Sequence, residues 1–289
     1  MPATCATWLA RYYESGSRSA WRRDKCMEGT ELTTTIALAG KGGTGKTTIA
    51  ALIIRYLIEE QSGSILAIDA DPATNLNMVL GMEMGATVGS IREDMLIQVQ
   101  SSGALAGSMP GGMSKQDYLD YEVQMAIEEG DRVDLLVMGR PEGPGCYCAA
   151  NQMLRVIVDR LNKQYDYVVI DNEAGMEHLS RRTTRDVDVL LLVTDPTQRG
   201  IVTAQRMAEM VPGLEIGVAH TYLIVNRLRG EMPAPLAQTI EQTGLKLVGV
   251  APEDPAMAEF EFTGRPLVEL PAETAVYQAV QKIAESVMG

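Results

Sequence analysis

Eight consecutive residues, Gly40, Lys41, Gly42, Gly43, Thr44, Gly45, Lys46 and Thr47, follow the spacing G-x-x-x-x-G-K-[ST], with Thr48 next. Such residues at that spacing cradle phosphate. Glycines let successive backbone N–H groups turn inward around phosphate oxygens. The N-terminus of a following helix adds partial positive charge. Lys46 is expected to reach the β- and γ-phosphates, and Thr47 to ligate Mg2+. Two acidic segments follow in order. Asp69 and Asp71 stand in "AIDADPATN", and Asp171 follows four apolar residues in "YDYVVIDNEAG". Either segment alone reads equally as a plain strand end. Their order after the phosphate loop makes them much stronger candidates for the same site.

A second chemistry lies in "GPGCYCAAN", where Cys146 and Cys148 flank one tyrosine. Cysteines one residue apart are poorly placed to bridge each other without strain. A helix beginning near Ala149 would stabilise the Cys148 thiolate, the metal-binding form. Two thiolates leave a tetrahedral ion half coordinated, and a twofold dimer would supply four. Borderline and soft ions such as Ni2+, Zn2+ or Cu+ suit such ligands. Small buried hydrophobes or a redox switch are the blander readings of the pair.

These residues need a scaffold, and the chain's patterning supplies one. Apolar runs of strand length begin with "TTTIALAG" and "SILAIDAD" and continue as "VDLLVMG", "YDYVVID", "VDVLLLVTD", "TYLIVNR" and "KLVGVAPED". Continuous apolar strands imply cover on both faces. Helical stretches lie between them, among them "KTTIAALIIRYLIEEQSG", "AANQMLRVIVDRLNKQ", "GIVTAQRMAEMV", "APLAQTIEQTG" and the terminal "ETAVYQAVQKIAESVM". The alternation predicts an α/β fold: a doubly wound, mostly parallel sheet flanked by helices, forming one domain over residues 33–289. Ligands in such sheets sit beyond the carboxyl ends of the strands. Residues 85–132, rich in glycine and weakly periodic, are expected to form loops and short helices on the site face.

The lysine directly after the first glycine gives "KGGTGKT", which resembles the deviant Walker A signature of the MinD and ParA ATPases and the nitrogenase iron protein. The resemblance implies that Lys41 crosses a homodimer interface to the partner's ATP, much as an arginine finger does. It makes Asp71, the residue before proline, a switch residue that holds the Mg2+ shell or orients the attacking water. Asp69 supports or caps that loop. Asp171 takes the Walker B position, and Gly175 resembles a second-switch glycine. The N-K-x-D signature of guanine recognition is missing, because Arg229 stands three residues after Asn226. Adenine is therefore the expected base. The resemblance puts Asn226 and Arg227 on its edge and the "APEDP" loop, with Pro252 and Glu253, over it. Asn226 also reads as a simple turn former.

"C-Y-C" together with "DNEAGMEHLSRR" is similar to the CooC-type ATPases, which assist nickel insertion into carbon monoxide dehydrogenase, with a relative serving acetyl-CoA synthase. That likeness implies an ATP-dependent metallochaperone that works as a homodimer on a client metalloenzyme. Glu173, Glu177 and His178 replace small residues of MinD-like switches. His178 reads as a structural switch residue, with a transient metal ligand or client contact as the other option. Two rivals remain. An iron–sulfur electron-transfer ATPase would take a second cysteine after the Walker B strand, where residues 171–185 have none. A positioning ATPase would bind DNA or membrane.

Composition weighs against that last rival. The 289 residues carry a net charge of −13, which disfavours nucleic acid and anionic membrane as partners. No apolar run approaches the roughly 20 residues that span a bilayer. Four cysteines among seventeen methionines fit a reducing cytoplasm. Residues 1–26 stand apart, with five basic and two acidic residues, both tryptophans and two cysteines. They resemble a transit peptide, but an early start ahead of Met27 is the preferred reading.

Overall fold

A computed structural model of the chain describes residues 33–71, 73, 75–101, 113–139, 156, 158–175, 186–214 and 216–288. The elements run β1 (Thr34–Ala39), α1 (Lys46–Glu60), β2 (Ile65–Ala70), α2 (Leu76–Leu80), α3 (Val88–Ser101) and α4 (Lys115–Met125). They continue as β3 (Glu128–Glu129), β4 (Val133–Val137), β5 (Tyr167–Asn172), β6 (Asp186–Thr194), α5 (Gln198–Met210) and β7 (Gly217–Leu228). The last four are α6 (Ala234–Thr243), β8 (Lys246–Pro252), α7 (Pro255–Thr263) and α8 (Ala275–Met288).

The strands form one eight-stranded sheet in the order β3-β4-β2-β5-β1-β6-β7-β8. Every pairing is parallel except that of the two-residue β3 with β4. Alternation along each strand divides the core in two. Ile36 and Leu38 of β1 face the α1 side, where Ile49, Leu52 and Ile53 join Val276, Tyr277 and Val280 of α8. Ala37 and Ala39 face the opposite layer, with Ile91, Leu119, Ile201 and Ile240 from α3, α4, α5 and α6. Both faces are covered, as the uninterrupted apolar runs imply.

The order places β1 between β5 and β6, with β2 beyond β5 on one side and β7 beyond β6 on the other, so the later strands build toward opposite edges of the sheet. That divergence opens a crevice at the carboxyl end of β1, where the chain turns into residues 40–47.

Residues 85–132 differ from expectation. α3 has 14 residues and α4 has 11, and they belong to the covering layer rather than to loops on the site face. Ile91 and Met95 of α3 and Tyr118, Leu119 and Val123 of α4 enter the core. Few apolar anchors at i, i+4 spacing suffice when a sheet receives them, and that signal is weak beside the flanking glycines. The helix expected over 149–164 is described at residues 156 and 158–164, helical as far as Asn162 and a turn at Lys163 and Gln164. Among the described residues no helix is long and apolar enough to cross a membrane. Residues 1–26 lie outside the described residues.

Candidate functional site

The loop from Gly40 to Gly45 folds by close approach. A side chain at Gly40 would collide with the Val193 carbonyl of β6, 2.2 Å from an ideal Cβ. Gly45 precedes α1 with φ 90, a left-handed conformation that suits glycine, and its missing Cβ leaves room for the Asn226 amide at 2.3 Å. Within the loop, the Lys41 carbonyl accepts from the Thr44 hydroxyl at 2.9 Å and from the Lys46 ammonium at 3.5 Å. Lys46 is buried, whereas Lys41, Gly42 and Gly43 are exposed. The loop thus leads into the head of α1 with one lysine, Lys46, buried and the other, Lys41, exposed.

The acidic side comes from β2 and β5, adjacent in register at Asp69 and Asp171. The Thr47 hydroxyl donates to Asp171 Oδ2 at 2.6 Å, while Asp171 Oδ1 is buried without a partner. Burial, aided by the Asp69 and Asp71 carboxylates, pushes the Asp171 carboxyl up from 3.8 to about 7, against the Thr47 hydroxyl and the Lys46 charge. Asp69 is fully buried and accepts from the Asp71, Asn75 and Leu76 amides, each at 3.0 Å. It therefore braces the turn that carries Asp71. Burial still raises its pKa, since desolvation outweighs those three bonds. Asp71 Oδ1 accepts from the Ala73 amide at 2.8 Å.

The second-switch segment touches the loop directly: the Gly175 N–H donates to the Gly40 carbonyl at 3.3 Å. Beside it, the Asn172 amide donates to the Leu38 carbonyl at 2.9 Å and ties the end of β5 to the end of β1. The sequence reading passed over Asn172. Its only signal was its place next to Asp171, a position where strand ladders end and carbonyls need donors.

On the other side, β7 delivers Asn226 and Arg227. The Asn226 amide donates to the Thr44 carbonyl at 2.9 Å and the Arg227 guanidinium to the Gly43 carbonyl at 3.1 Å. Asn226 thus holds the phosphate loop, a part that neither base recognition nor turn forming would have required. Pro252 ends β8, and the Glu253 N–H donates to the Leu228 carbonyl at 3.0 Å. Arg229 forms a two-pronged, exposed ion pair with Glu253, and that hydrogen-bonded guanidinium holds the Glu253 carboxyl below its ordinary range.

The structure therefore gathers Gly40 through Thr48, Asp71, Asp171, Asn226, Arg227, Pro252 and Glu253 around one crevice. Cys146, Cys148, Glu177 and His178 lie outside the described residues, as do all four cysteines. Among the described residues no group of three or more His, Cys, Asp or Glu side chains is placed to hold a metal ion.

Comparison with known proteins agrees with the geometry. The family model of the CobQ/CobB/MinD/ParA nucleotide binding domain matches residues 35–267. An uncharacterised ATP-binding protein of Methanocaldococcus jannaschii is 43% identical over 253 residues, 88% of this chain and 98% of the relative. The carbon monoxide dehydrogenase accessory protein CooC of Rhodospirillum rubrum is 29% identical over 241 residues, 79% of this chain and 87% of its own. Among solved structures, the septum site-determining protein MinD of Pyrococcus horikoshii, complexed with Mg-ADP, matches with a TM-score of 0.62 at 24% identity, over 89% of this chain and 96% of that one. The crevice at the carboxyl end of β1, its glycine loop and its paired acidic strands make the chain a member of the CobQ/CobB/MinD/ParA nucleotide-binding family, a P-loop ATPase of the MinD/ParA class.

Proposed function

We propose that the protein is an ATP-driven metallochaperone, a homodimer that carries a thiolate-bound cation, Ni2+ by likeness to CooC, to a client such as carbon monoxide dehydrogenase or acetyl-CoA synthase. The observation that carries the reading is the split between the two lysines. Lys46 is buried behind the loop, whereas Lys41 is exposed at its front, where a second subunit's nucleotide can be met. Likeness to CooC supports the cargo, and Cys146 and Cys148 supply the ligands that cargo needs.

Mg2+ suits the residues present. The Asp171 oxygen without a partner, the Thr47 hydroxyl and the Asp71 carboxylate are hard oxygen donors, the kind that Mg2+ takes directly or through water. Bound there, Mg2+ would supply positive charge that neutralises the phosphates. The chain's own residues do the rest. The loop amides and Lys46 hold the phosphates, and Asp71 orients the attacking water. Asn226, Arg227, Pro252 and Glu253 border the base. Lys41 neutralises phosphate charge on the partner. Nucleotide drives the cycle only if it binds the closed dimer more tightly than the open one.

Likeness to MinD proteins supports a positioning role as well. The apolar face of α8, with Val276, Tyr277, Val280 and Ile283, is buried against β8 and α1 and is not offered outward.

Equilibrium titration with Ni2+ and Zn2+, with and without ATP, tests the reading on wild type and a Cys146→Ala/Cys148→Ala variant, with light scattering for mass. One ion per two chains, lost in the variant and shifted in affinity by ATP, is the expected result. Uptake indifferent to both cysteines would overturn it. Sedimentation with anionic vesicles or DNA would favour the positioning role, and a brown iron–sulfur chromophore the electron-transfer role.

A further inference from the structure

We infer that Arg227 is a positioning residue of the phosphate loop, holding the Gly43 carbonyl outward so that the loop keeps the shape phosphate meets. Three observations converge on it. The β7–β8 pairing slips between Asn226 and Leu228, so Arg227 is the extra residue of a bulge. Its φ is 59, the sole left-handed value among described residues other than glycine. Its guanidinium, although the residue is exposed, donates to the Gly43 carbonyl at 3.1 Å.

Bulges beside active sites re-aim side chains, and a strained backbone persists only where its surroundings hold it. Here the bulge turns Arg227 away from the sheet edge and onto the loop. The Arg227 N–H donates to Asn226 Oδ1 at 2.9 Å, which orients that amide so that its nitrogen meets the Thr44 carbonyl. Two neighbouring residues of β7 thus hold two neighbouring carbonyls of the loop. A peptide unit is planar, so fixing a carbonyl fixes the N–H on its far side. Arg227 sets the Gly43–Thr44 peptide and Asn226 sets the Thr44–Gly45 peptide. Neither bond touches the base, so the effect falls on phosphate binding whatever base is attached. The inference needs only the nucleotide site and stands apart from the metal reading of Cys146 and Cys148.

Two variants test it, Arg227→Gly and Arg227→Asn. Both residues tolerate a left-handed backbone, and neither reaches Gly43. Thermal midpoints are measured without nucleotide. Affinities for ADP and for pyrophosphate are measured by displacement of a fluorescent ADP. The midpoint of the glycine variant should hold or rise, because strain is relieved, while both affinities fall together by about tenfold, the scale of one charge-assisted hydrogen bond. Arg227→Lys, which keeps a charged donor, should recover part of the loss. Loss for ADP alone would leave Arg227 only its place beside the base, with no hold on the phosphate loop, and overturn the inference. Unchanged affinities would overturn it too, as would affinities that fall only in step with the midpoint. If the glycine variant fails to fold, the asparagine variant gives the same reading. Failure of both means that Arg227 serves stability, and the inference is wrong.

Discussion

Removing the charge at Asp171 should stabilise the nucleotide-free protein at neutral pH and above. The carboxyl is 1% exposed, and burial with help from two neighbouring carboxylates raises its pKa from 3.8 to about 7. The sign follows from proton uptake. Below pH 4 both folded and unfolded chains hold the proton, and there is no difference. Between about pH 4 and 7 the unfolded chain releases its proton while the folded one keeps it, so each pH unit costs the fold about 1.4 kcal/mol. Above pH 7 the cost is complete, at most about 4 kcal/mol. Asp171→Asn abolishes it and leaves an oxygen to accept from Thr47. The new amide N–H groups, if unpaired, cost about 1–3 kcal/mol of that gain.

A net gain of about 2 kcal/mol corresponds to roughly 4–8 °C for a chain of this size. The assay is thermal unfolding by circular dichroism from pH 5 to 8.5, with EDTA and no nucleotide. Wild type should lose stability steadily up to pH 7, and the variant more gently, since the raised Asp69 remains. Adding Mg-ADP should stabilise wild type far more than the variant. A variant that melts no higher than wild type at pH 8, or that shares its slope throughout, would show that burial does not control this carboxyl.

Three further outcomes follow from the same geometry. Gly45→Ala would set a Cβ 2.3 Å from the Asn226 amide at φ 90, so fluorescent-nucleotide titration should show at least a tenfold loss of affinity, the loop shifting or Asn226 letting go. Lys41→Ala should leave nucleotide affinity near wild type yet abolish ATP-dependent association in light scattering, because the side chain is exposed and its carbonyl alone braces the loop. Arg55→Met should lower stability by about 3 kcal/mol in urea unfolding: it strips the Leu270 carbonyl of its guanidinium donor, leaves Glu59 with the Tyr277 hydroxyl, and removes the cation 3.9 Å over Tyr277.

The strands and the phosphate loop were legible because their signals are local. An apolar run such as "VDVLLLVTD" has one buried outcome, and glycine spacing in residues 40–47 has few uses besides phosphate. The positions of Asp69, Asp71 and Asp171 were legible from the apolar runs before them, the first two at the carboxyl end of β2 and the third at that of β5. What escaped depends on partners distant in sequence. α3 becomes a long helix because the sheet's far face receives Ile91 and Met95. The Asn226 amide meets Thr44 across 182 positions, and Arg227 acquires its left-handed backbone from a register slip between two strands. No composition or periodicity encodes a slip, which lies here at the last rung, where Leu228 pairs with Pro252 after Asn226 pairs with Ala251. β3 escaped for a simpler reason: two residues carry no alternation.

The same long-range contacts say how a nucleotide signal can leave the crevice. Coupling needs a contiguous set of groups with two arrangements. Gly175 is bonded to Gly40 of the loop, and Asp171 to Thr47 of α1. Asp171 lies beside Asp69 in register, and the Asp69 carbonyl accepts from the Met138 N–H at 2.8 Å. Met138 lies eight residues before Cys146, in the segment leaving β4. Asp69 therefore joins the turn carrying Asp71, through its carboxylate, to the start of the thiol segment, through its backbone. Asp69→Asn replaces one of the two accepting oxygens with a donor facing backbone N–H groups, so the Asp71 turn loosens while the strand pairing stays. If nucleotide and metal are coupled along this path, the ATP-induced change in Ni2+ affinity should shrink in that variant while affinity without nucleotide holds. An unaltered ATP effect would move the coupling to the dimer interface and Lys41.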